Sequence, residues 1–521
     1  MTRPESHRQA LLRLGFQDPG RALADLDQIG GGEPLIALLA RTADPDQALR
    51  ELTRLAAVAE PGMIGEVLDD EGTAMRLLSV LGASTALADH LVRHPDQWRE
   101  LCDPTLGSTR PAAYAVRRRL LESVGADPAD RQPTSTHDAS VAIDALRVEY
   151  RLQLLRLAAR DLSHDLGIDD AAAELSDLAA GTLDAALAIA RAGVGEEARR
   201  VRLGVVAMGK CGGHELNYVS DVDVIFVFEP EGEIGEEAAA RVATRLASGL
   251  MRVCSEHTRE GTIWPVDAAL RPEGKAGPLV RTIAGMRGYY ERWARTWEFQ
   301  ALLKARPVAG DLALGREFVD LVSPMVWSVA HRDGFVADVQ AMRRRVLEHI
   351  PAREAERQLK LGSGGLRDVE FAVQLLQLVH GRLDDRLRDS TTLSALDTLT
   401  RCGYVGREDG ESLHAAYSFL RTLEHRIQLH QLRRTHVVPT DAAALRRLGR
   451  SMGFVKEPAK ALDEAWQQHR LEVRRLHEKL FYRPLLTAVA RTPGTDVRLT
   501  TEAAGERLAA LGYADPKAAL R

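Results

Sequence analysis

Apolar residues recur at the three- and four-residue spacing of an amphipathic helix over most of the chain. This spacing predicts helices from the first residues to about residue 135 and again from about residue 336 onwards. The pattern changes between these regions, where two short apolar runs, at residues 205–206 and 224–228, are bounded by glycine and aspartate. Short apolar runs between such residues are typical of buried strands. The chain is therefore predicted to be mainly helical, with a small sheet near its middle.

A glycine-rich turn connects the two apolar runs. It contains Gly209, Lys210, Gly212 and Gly213. Glycines allow backbone N–H groups to approach a phosphate closely, and a lysine adds positive charge. The turn does not have the spacing of a P-loop or of a dinucleotide-binding fingerprint. We therefore predict a phosphate-binding turn of another kind, formed by these four residues.

Two aspartates open the second apolar run. Asp221 and Asp223 are separated by Val222, and alternate residues of a strand project from the same face. Two carboxylates held side by side repel each other unless a cation lies between them. Oxygen ligands suit Mg²⁺, with Mn²⁺ as the other choice. The pattern predicts a metal site, and the alternative is a pair of solvated acids on a surface strand.

A third aspartate, Asp267, lies in another apolar segment, residues 262–270, which predicts a further strand. A carboxylate in such a segment is costly to bury without a partner. A metal shared with the first two aspartates would be one partner, and an ion pair with Arg271 would be another. Arg271 could instead hold a phosphate through two of its nitrogens.

The segment at residues 205–229 resembles the nucleotidyltransferase signature of the polymerase-β-like superfamily. The resemblance is to the form found in the N-terminal, adenylyl-removing half of the bifunctional glutamine synthetase adenylyltransferase/adenylyl-removing enzymes. Ala207 and Cys211 depart from that signature, each by a small apolar replacement. The positions that agree are Gly209, Lys210, Gly212, Gly213, Glu215, Leu216, Asn217, Tyr218, Ser220, Asp221, Asp223, Ile225 and Phe226.

Later segments extend the resemblance. Residues 266–274 match its V-D-x-x-L-R-P-x-G motif, and residues 297–306 match its W-E-x-x-A-x-x-K-A-R motif. Residues 360–371 match its glycine-rich K-x-G-x-G-G motif, which predicts a hinge that opens a helix.

The resemblance also implies roles for particular residues. The three aspartates would be catalytic and would hold the metal. Ser220, Lys304 and Arg306 would join the four turn residues and Arg271 in binding phosphate or nucleotide. For Lys304 and Arg306 the alternative is a solvated surface position.

A long amphipathic helix is predicted at about residues 139–166. Apolar residues in it alternate with Arg147, Arg151, Arg156 and Arg160. These arginines could face a phosphate, and the alternative is a solvated or salt-bridged helix face.

Composition narrows the class of protein. The 69 Lys plus Arg and 74 Asp plus Glu give a net charge of −5, without the basic excess of a nucleic-acid-binding protein. Four widely separated cysteines predict reduced thiols rather than disulfides or a zinc site. The first residues lack a signal sequence, and no run of 18 apolar residues predicts a membrane span. We therefore expect a cytoplasmic protein that binds neither membrane nor nucleic acid.

The expected fold class is α+β: a polymerase-β-like nucleotidyltransferase core with a small mixed sheet, flanked by helical domains, and predominantly α overall. We expect an N-terminal helical domain at residues 1–135, a catalytic domain at 136–335 and a C-terminal helical bundle at 336–490. Residues 511–520 echo residues 14–23. This echo predicts that residues 491–521 are a linker and the start of a truncated second unit.

The resemblance implies removal of AMP from an adenylylated tyrosine of glutamine synthetase. Inorganic phosphate would attack the AMP phosphorus with Mg²⁺ present, releasing ADP and restoring the synthetase for nitrogen metabolism. A PII signalling protein is the implied regulator. Two alternatives remain: transfer of AMP from ATP to that tyrosine, and a regulatory module that binds a nucleotide without turnover.

Overall fold

The structure of the chain is a computed structural model. It describes residues 7–30, 32–107, 110–332, 334–335, 338–339, 342, 350–351 and 354–490, with side chains as far as residue 481. Residues 491–521, where we predict a linker and a second unit, lie outside the described residues. Within the described part the chain is predominantly helical with one small mixed sheet, which confirms that part of the predicted fold class.

The α-helices of the described residues are numbered here in chain order. They are α1 His7–Arg13, α2 Pro19–Ile29, α3 Gly32–Leu39, α4 Pro45–Ala56, α5 Met63–Leu68, α6 Glu71–Ala83, α7 Thr85–Arg93, α8 Ala113–Ser123, α9 Ala139–Leu162, α10 Ile168–Val194, α11 Gly209–Gly212, α12 Glu236–Ser255, α13 Ile283–Arg292, α14 Thr296–Leu302, α15 Leu312–Val326, α16 Leu366–His380, α17 Thr392–Arg401, α18 Arg407–Leu429, α19 Ala442–Ser451 and α20 Pro458–Ala490. The strands are β1 Val201–Ala207, β2 Val222–Pro230, β3 Val266–Asp267, β4 Val280–Arg281 and β5 Arg306–Gly310.

The chain divides into two compact units whose segments alternate along the sequence. The first comprises Met1–Tyr289, Lys304–Leu321 and Ser418–Gln468, and the second comprises Tyr290–Leu303, Val322–Tyr417 and His469–Arg521. The domain boundaries that we infer from the sequence stay predictions.

Short polar side chains set the starts of the N-terminal helices. Asp44, Asp70 and Ser84 each accept a hydrogen bond from a backbone N–H of the first turn of α4, α6 and α7. Such caps satisfy donors that the helix itself leaves unpaired and stabilise each helix by about 1 kcal/mol. The apolar stripes of these helices then pack on one another, with Leu52 and Leu77 almost fully buried.

Helix α10 lies at the centre of the first unit and packs against α8, α9, α12 and β5. The segment Ile168–Arg200 consists of α10 and the residues that follow it. Among the described residues, it is the one helical segment with the length and apolar composition of a membrane-spanning helix. In that apolar stretch 72% is buried inside the fold. Such burial is typical of the core helix of a globular protein.

The sheet has five strands in the order β3-β2-β1-β5, with β4 also paired to β2. β2 is antiparallel to β1 along the whole length of β1, from Val201 opposite Pro230 to Ala207 opposite Val224. β3 and β4 run parallel to β2. The antiparallel pairing places the glycine-rich turn and the first aspartates together at one end of the two central strands.

The third strand is shorter than the sequence pattern predicts. Only Val266–Asp267 pairs with the sheet, not the whole of residues 262–270. Pro265 has no N–H to contribute to a ladder, although its carbonyl accepts a hydrogen bond from the N–H of Val222 at 3.1 Å. Tertiary pairing therefore limits this strand to the two residues needed to align Asp267.

In the second unit, the glycine-rich segment at residues 360–371 does form a turn that opens a helix. Gly364 has a φ of 75° and its N–H donates to Asp368 Oδ2 at 2.8 Å. A Cβ at Gly364 would overlap the carbonyl oxygen of Arg470. α16 begins directly afterwards at Leu366.

Replacement of Gly310 tests the close packing at the end of β5. Its φ is 68°, and a Cβ would overlap the carbonyl oxygen of Leu203. We expect Gly310→Ala to lower the free energy of unfolding by at least about 2 kcal/mol, from left-handed strain and the overlap together. Urea denaturation measures the change.

The matched control is Gly288→Ala in α13, where no atom lies within 4 Å of the added Cβ. We expect this variant to be as stable as the parent or more stable by up to about 1 kcal/mol. Equal stability of the two variants would contradict the described packing of β5.

Candidate active site

Two of the predicted aspartates lie at the start of β2, next to the glycine-rich turn. Val222 is fully buried, whereas Asp221 and Asp223 on either side of it are half-buried, so the predicted alternation is present. Gly209 has a φ of 54°, and a Cβ there would lie 2.8 Å from Asp223 Oδ2. Glycine at this position therefore allows the Asp223 carboxylate to lie against the turn.

The third aspartate is brought beside them by the parallel pairing of β2 with β3. Asp267 lies directly opposite Asp223 in this pairing, and neighbouring strands are about 4.8 Å apart. Asp267 Oδ1 accepts a hydrogen bond from the N–H of Ala269 at 2.7 Å. This bond orients the carboxylate without neutralising its charge.

A cavity of about 700 Å³ opens beside two of these carboxylates. Asp221 and Asp267 line it together with the cations Arg271, Lys275 and Arg434. Its volume is in the range of small-molecule sites. Acidic and basic groups around one cavity suit a metal ion together with an anionic ligand.

Arg434 is the cation closest to the carboxylates in this cavity, and no sequence pattern marks it. Its Nη1 lies 2.7 Å from Asp221 Oδ2, while 57% of its side chain is exposed. The other carboxylate oxygen of Asp221 is buried and has no hydrogen-bond partner in the part of the chain that the structure describes. A buried carboxylate oxygen without a partner is costly, so it is a group available to a further ligand.

The donor types in the site fit a hard divalent cation such as Mg²⁺. They are carboxylate oxygens on neighbouring strands, one of them the unpartnered oxygen of Asp221. Across the described ranges of the chain, however, no three His, Cys, Asp or Glu side chains are already gathered as a metal cage. Arg434 occupies one oxygen of Asp221 instead. While that contact is formed, the other oxygen of Asp221 is the one left for a metal.

The glycine-rich turn forms the one-turn helix α11. The N–H groups of Gly212 and Gly213 donate to the carbonyls of Met208 and Gly209, both at 3.0 Å. A Cβ at Gly212 would overlap the carbonyl oxygen of Lys304. Glycine at 212 is thus required for close packing, and its N–H is already used. Phosphate binding by the turn, and by the half-buried Ser220 that follows it, stays a prediction.

The two lysines predicted to bind phosphate are paired with buried carboxylates. Lys210 Nζ lies 3.0 and 3.2 Å from the two oxygens of Glu424. Lys304 forms an ion pair with Glu215, and both side chains are buried. The alternative of a solvated surface position is therefore wrong for Lys304.

The two predicted arginines support the main chain. Arg306 donates to the carbonyls of Gly212 at 3.0 Å and Cys211 at 2.8 Å, and its burial lowers its pKa. Arg271 donates to carbonyls of the loop that follows Asp267, among them that of Ala268 at 2.8 Å. The ion pair with Asp267, which is the alternative to a shared metal, is not formed in the part of the chain that the structure describes. Both arginines hold segments of the site in place.

The last turns of α18 cover the signature segment with a buried polar network that sequence reasoning missed. Glu424 is fully buried and pairs with Lys210 and Arg421. Gln428 Oε1 accepts hydrogen bonds from Asn217 Nδ2 at 2.6 Å and from the N–H of Val219 at 3.0 Å. α18 therefore fixes the segment that leads into Asp221.

The same helix also holds the loop that carries Arg434. His436 Nδ1 lies 2.9 Å from Glu424 Oε1. Gln428 Nε2 donates to the carbonyl of Thr435 at 3.3 Å. One buried carboxylate thus joins the glycine-rich turn, α18 and the loop that delivers Arg434 to the cavity.

A signal for this network is present in the sequence. Arg421, Glu424 and Gln428 recur at helical spacing, so they share one face of α18. Such a helix also has a full apolar stripe on another face. When other parts of the protein cover both faces, the polar stripe indicates a buried polar contact. Finding its partner in the glycine-rich turn requires the tertiary structure.

A second buried contact anchors the signature from the other side. The Tyr218 hydroxyl donates to Asp161 Oδ2 at 2.8 Å, and Arg426 binds both oxygens of Asp161. Burial and the neighbouring Asp161 raise the pKa of Tyr218 well above its usual value. Tyr218 therefore stays a neutral donor, and α9, α18 and the signature segment are held together.

Comparison with known families covers most of the chain. Residues 74–320 match the family described as glutamate-ammonia ligase adenylyltransferase. Residues 340–481 match the family described as GlnD PII-uridylyltransferase. The first match contains all the predicted site residues.

Curated relatives are similar over nearly all of this chain. A bifunctional glutamine synthetase adenylyltransferase/adenylyl-removing enzyme of Streptomyces avermitilis is 56% identical over 98% of the chain and 50% of its own length. An enzyme of the same description from Cutibacterium acnes is 47% identical over 100% of the chain and 54% of its own length. One from Mycolicibacterium smegmatis is 46% identical over 98% of the chain and 51% of its own length. The chain spans about half the length of these relatives.

Replacement of the buried Glu424 tests the network. We expect Glu424→Gln to lower the free energy of unfolding at pH 7 by about 3–5 kcal/mol, because Lys210 and Arg421 lose their buried counter-charge. The Lys210 and Arg421 charges hold the pKa of Glu424 well below its usual 4.5 despite its burial. The stabilisation by Glu424 is therefore present above about pH 4.5 and is lost as the pH falls further.

Denaturation in urea between pH 7 and about pH 3 measures this difference, and the curves of the parent and of Glu424→Gln should converge at low pH. Glu237→Gln is the control, since the Glu237 side chain on α12 is 96% exposed. A constant gap between parent and Glu424→Gln across the whole range would contradict the assigned ion pairs.

Proposed function

Because the chain belongs to the glutamate-ammonia ligase adenylyltransferase family, we propose that it removes AMP from an adenylylated tyrosine of glutamine synthetase. The proposed reaction is phosphorolysis. A phosphate oxygen forms a bond to the AMP phosphorus, the bond to the tyrosine oxygen breaks, and the products are ADP and the tyrosine side chain. The protein substrate, the direction and the nucleophile are all parts of this proposal.

The direction rests on sequence resemblance. The relatives are named for both adenylyl transfer and adenylyl removal, and this chain covers about half of each. The signature residues Glu215, Leu216, Asn217 and Tyr218, and the glycine-rich segment at 360–371, have the form of the adenylyl-removing half.

The cavity beside Asp221 and Asp267 carries the chemical argument. Phosphorolysis brings two phosphoryl groups together, so the site must neutralise negative charge and align the reactants. Lys275 and Arg434 line the same cavity and have side chains that are able to bind an anion. The polar cavity with both signs of charge is the observation that best supports phosphoryl transfer.

We further propose a polymerase-β-like core in which Asp221, Asp223 and Asp267 hold Mg²⁺ or Mn²⁺. The metal, when bound, would neutralise charge on the phosphoryl oxygens and on the leaving phenol oxygen, whose usual pKa is about 10. The chain itself orients Asp267 through the N–H of Ala269. Opening of the contact between Arg434 and Asp221 would free the second oxygen of Asp221 for the metal. Arg434 is then positioned to bind the incoming phosphate.

The remaining cations have a different role in this proposal. Lys210, Lys304 and Arg306 are engaged with Glu424, Glu215 and main-chain carbonyls respectively. They keep the turn and the Asp-x-Asp segment in register with each other. A PII signalling protein is proposed as the regulatory partner, in keeping with the family match of residues 340–481.

A product assay tests the direction and the nucleophile. Adenylylated glutamine synthetase, Mg²⁺ and inorganic phosphate are mixed with the chain, and nucleotides are separated by chromatography. We expect ADP to appear only when phosphate is present. AMP formed at the same rate without phosphate would show hydrolysis, and labelling of unmodified synthetase from ATP would show the forward transferase.

Substitution of the aspartates tests their roles. We expect Asp223→Asn and Asp267→Asn each to reduce the rate of ADP formation at least about tenfold, because the lost charge acts on the metal and the phosphoryl groups. The unfolding midpoint should stay within a few degrees of that of the parent. Asp27→Asn, an exposed carboxylate on α2, is the control. More than about a tenth of the parental rate in either site variant would refute the assignment.

A further inference from the structure

A second cavity lies in the first unit, on the other side of the segment that leads into Asp221. Its volume is about 360 Å³, within the range of small-molecule sites. Tyr150, Arg151 and Leu154 of α9 form one wall. Ile263 and Leu432 belong to the opposite walls.

Arg151 is the unusual residue of this cavity. The other three arginines of α9 have partners in the fold: Arg147 donates to main-chain carbonyls including that of Gly261 at 2.9 Å, Arg156 pairs with Glu100 at 2.5 Å, and Arg160 pairs with Glu174. Within the described residues, the Arg151 guanidinium has no hydrogen-bond or ion-pair partner. It faces the cavity instead.

The acids of the same cavity do not balance this charge. Asp89 is bound by Arg54 at 2.9 Å. Glu260 is bound by Arg93 at 3.3 Å, and its Oε2 lies 3.1 Å from His94 Nε2. Burial lowers the pKa of Arg151, because the charged guanidinium is partly removed from water. A guanidinium left without a partner in such a setting is costly unless an anion binds to it.

The rest of the lining suits a small organic anion. Leu154, Ile263 and Leu432 offer apolar surface. The Tyr150 hydroxyl is buried, which raises its pKa to about 12, so it is a neutral group at physiological pH. A planar guanidinium beside apolar walls is suited to a carboxylate or phosphate on a short carbon skeleton.

We propose that this cavity is a binding site for a small organic anion, with Arg151 as the group that binds its carboxylate or phosphate. The site is separate from the proposed catalytic cavity and does not depend on the proposed reaction.

The two cavities share three segments of the chain. On the first segment, Val219 lines the second cavity and Asp221 lines the first. On the next segment, Ile263 lines the second cavity and Val266 lines the first. Leu432 lines the second cavity, and Arg434, two residues later, lines the first. A bound anion would therefore lie against the same segments that carry Asp221, Asp267 and Arg434.

Calorimetric titration of the full chain tests this site. Arg434→Met is introduced throughout, to remove a cation of the first cavity from the measurement. Succinate and glycerol 3-phosphate are the probes for the two anion types, and succinamide is the uncharged counterpart of succinate. We expect at least one of the anions to bind at least tenfold more tightly than succinamide, and the tighter anion identifies the ligand class.

Arg151→Met keeps the stem of the side chain and removes its charge. We expect it to weaken binding of that anion at least tenfold. Arg259→Met is the matched control, because Arg259 lines the same cavity but is 82% exposed and pairs with Asp144 at 3.1 Å. It should change the affinity less than twofold.

Thermal unfolding separates a ligand-binding role from a structural one. Because Arg151 has no partner to lose among the described residues, Arg151→Met should unfold at the same temperature as the parent or higher. Three results would each overturn the proposal: neither anion binds better than succinamide, Arg151→Met binds the anion as tightly as the parent, or its unfolding midpoint falls by more than about 5 °C.

Discussion

The candidate active site depends on the buried carboxylate of Glu424. Its charge lies between Lys210 of the glycine-rich turn and Arg421 of the same helix, with His436 of the following loop 2.9 Å away. A carboxylate with 0% exposure is tolerated only because these cations surround it. The network links residues that are more than 200 positions apart in the chain. Glu424 thus contacts both the glycine-rich turn and the loop that carries Arg434.

The charges of the signature segment therefore have two distinct uses. Lys210, Lys304 and Arg306 are committed to carboxylates or carbonyls of the protein. Lys275 and Arg434 face the cavity beside the aspartates. A family motif contains residues of both kinds and does not distinguish them. Loss of a residue that holds the site in place and loss of a residue that binds the substrate both abolish the site. The contacts in the folded chain separate the two.

The two cavities of the first unit are lined by the same three segments of the chain. Each of three segments contributes a residue to one cavity and a near neighbour to the other. These segments are short and irregular, with only Val266–Asp267 paired as a strand in one of them.

The sequence by itself determined the mainly helical character, the small sheet and the alternation around Val222, since all three follow from local apolar periodicity. It also determined family membership, because the signature residues are contiguous and their spacing is specific. The register of Asp267 against Asp223 follows from strand pairing across more than 40 residues, which periodicity does not encode. Likewise, only the tertiary structure decided that Arg434 meets Asp221 and that Lys210 meets Glu424. It also decided that, among the described residues, Arg151 is the arginine of α9 without a hydrogen-bond or ion-pair partner. Each of these depends on which side chains distant segments bring together, and local sequence carries no record of that.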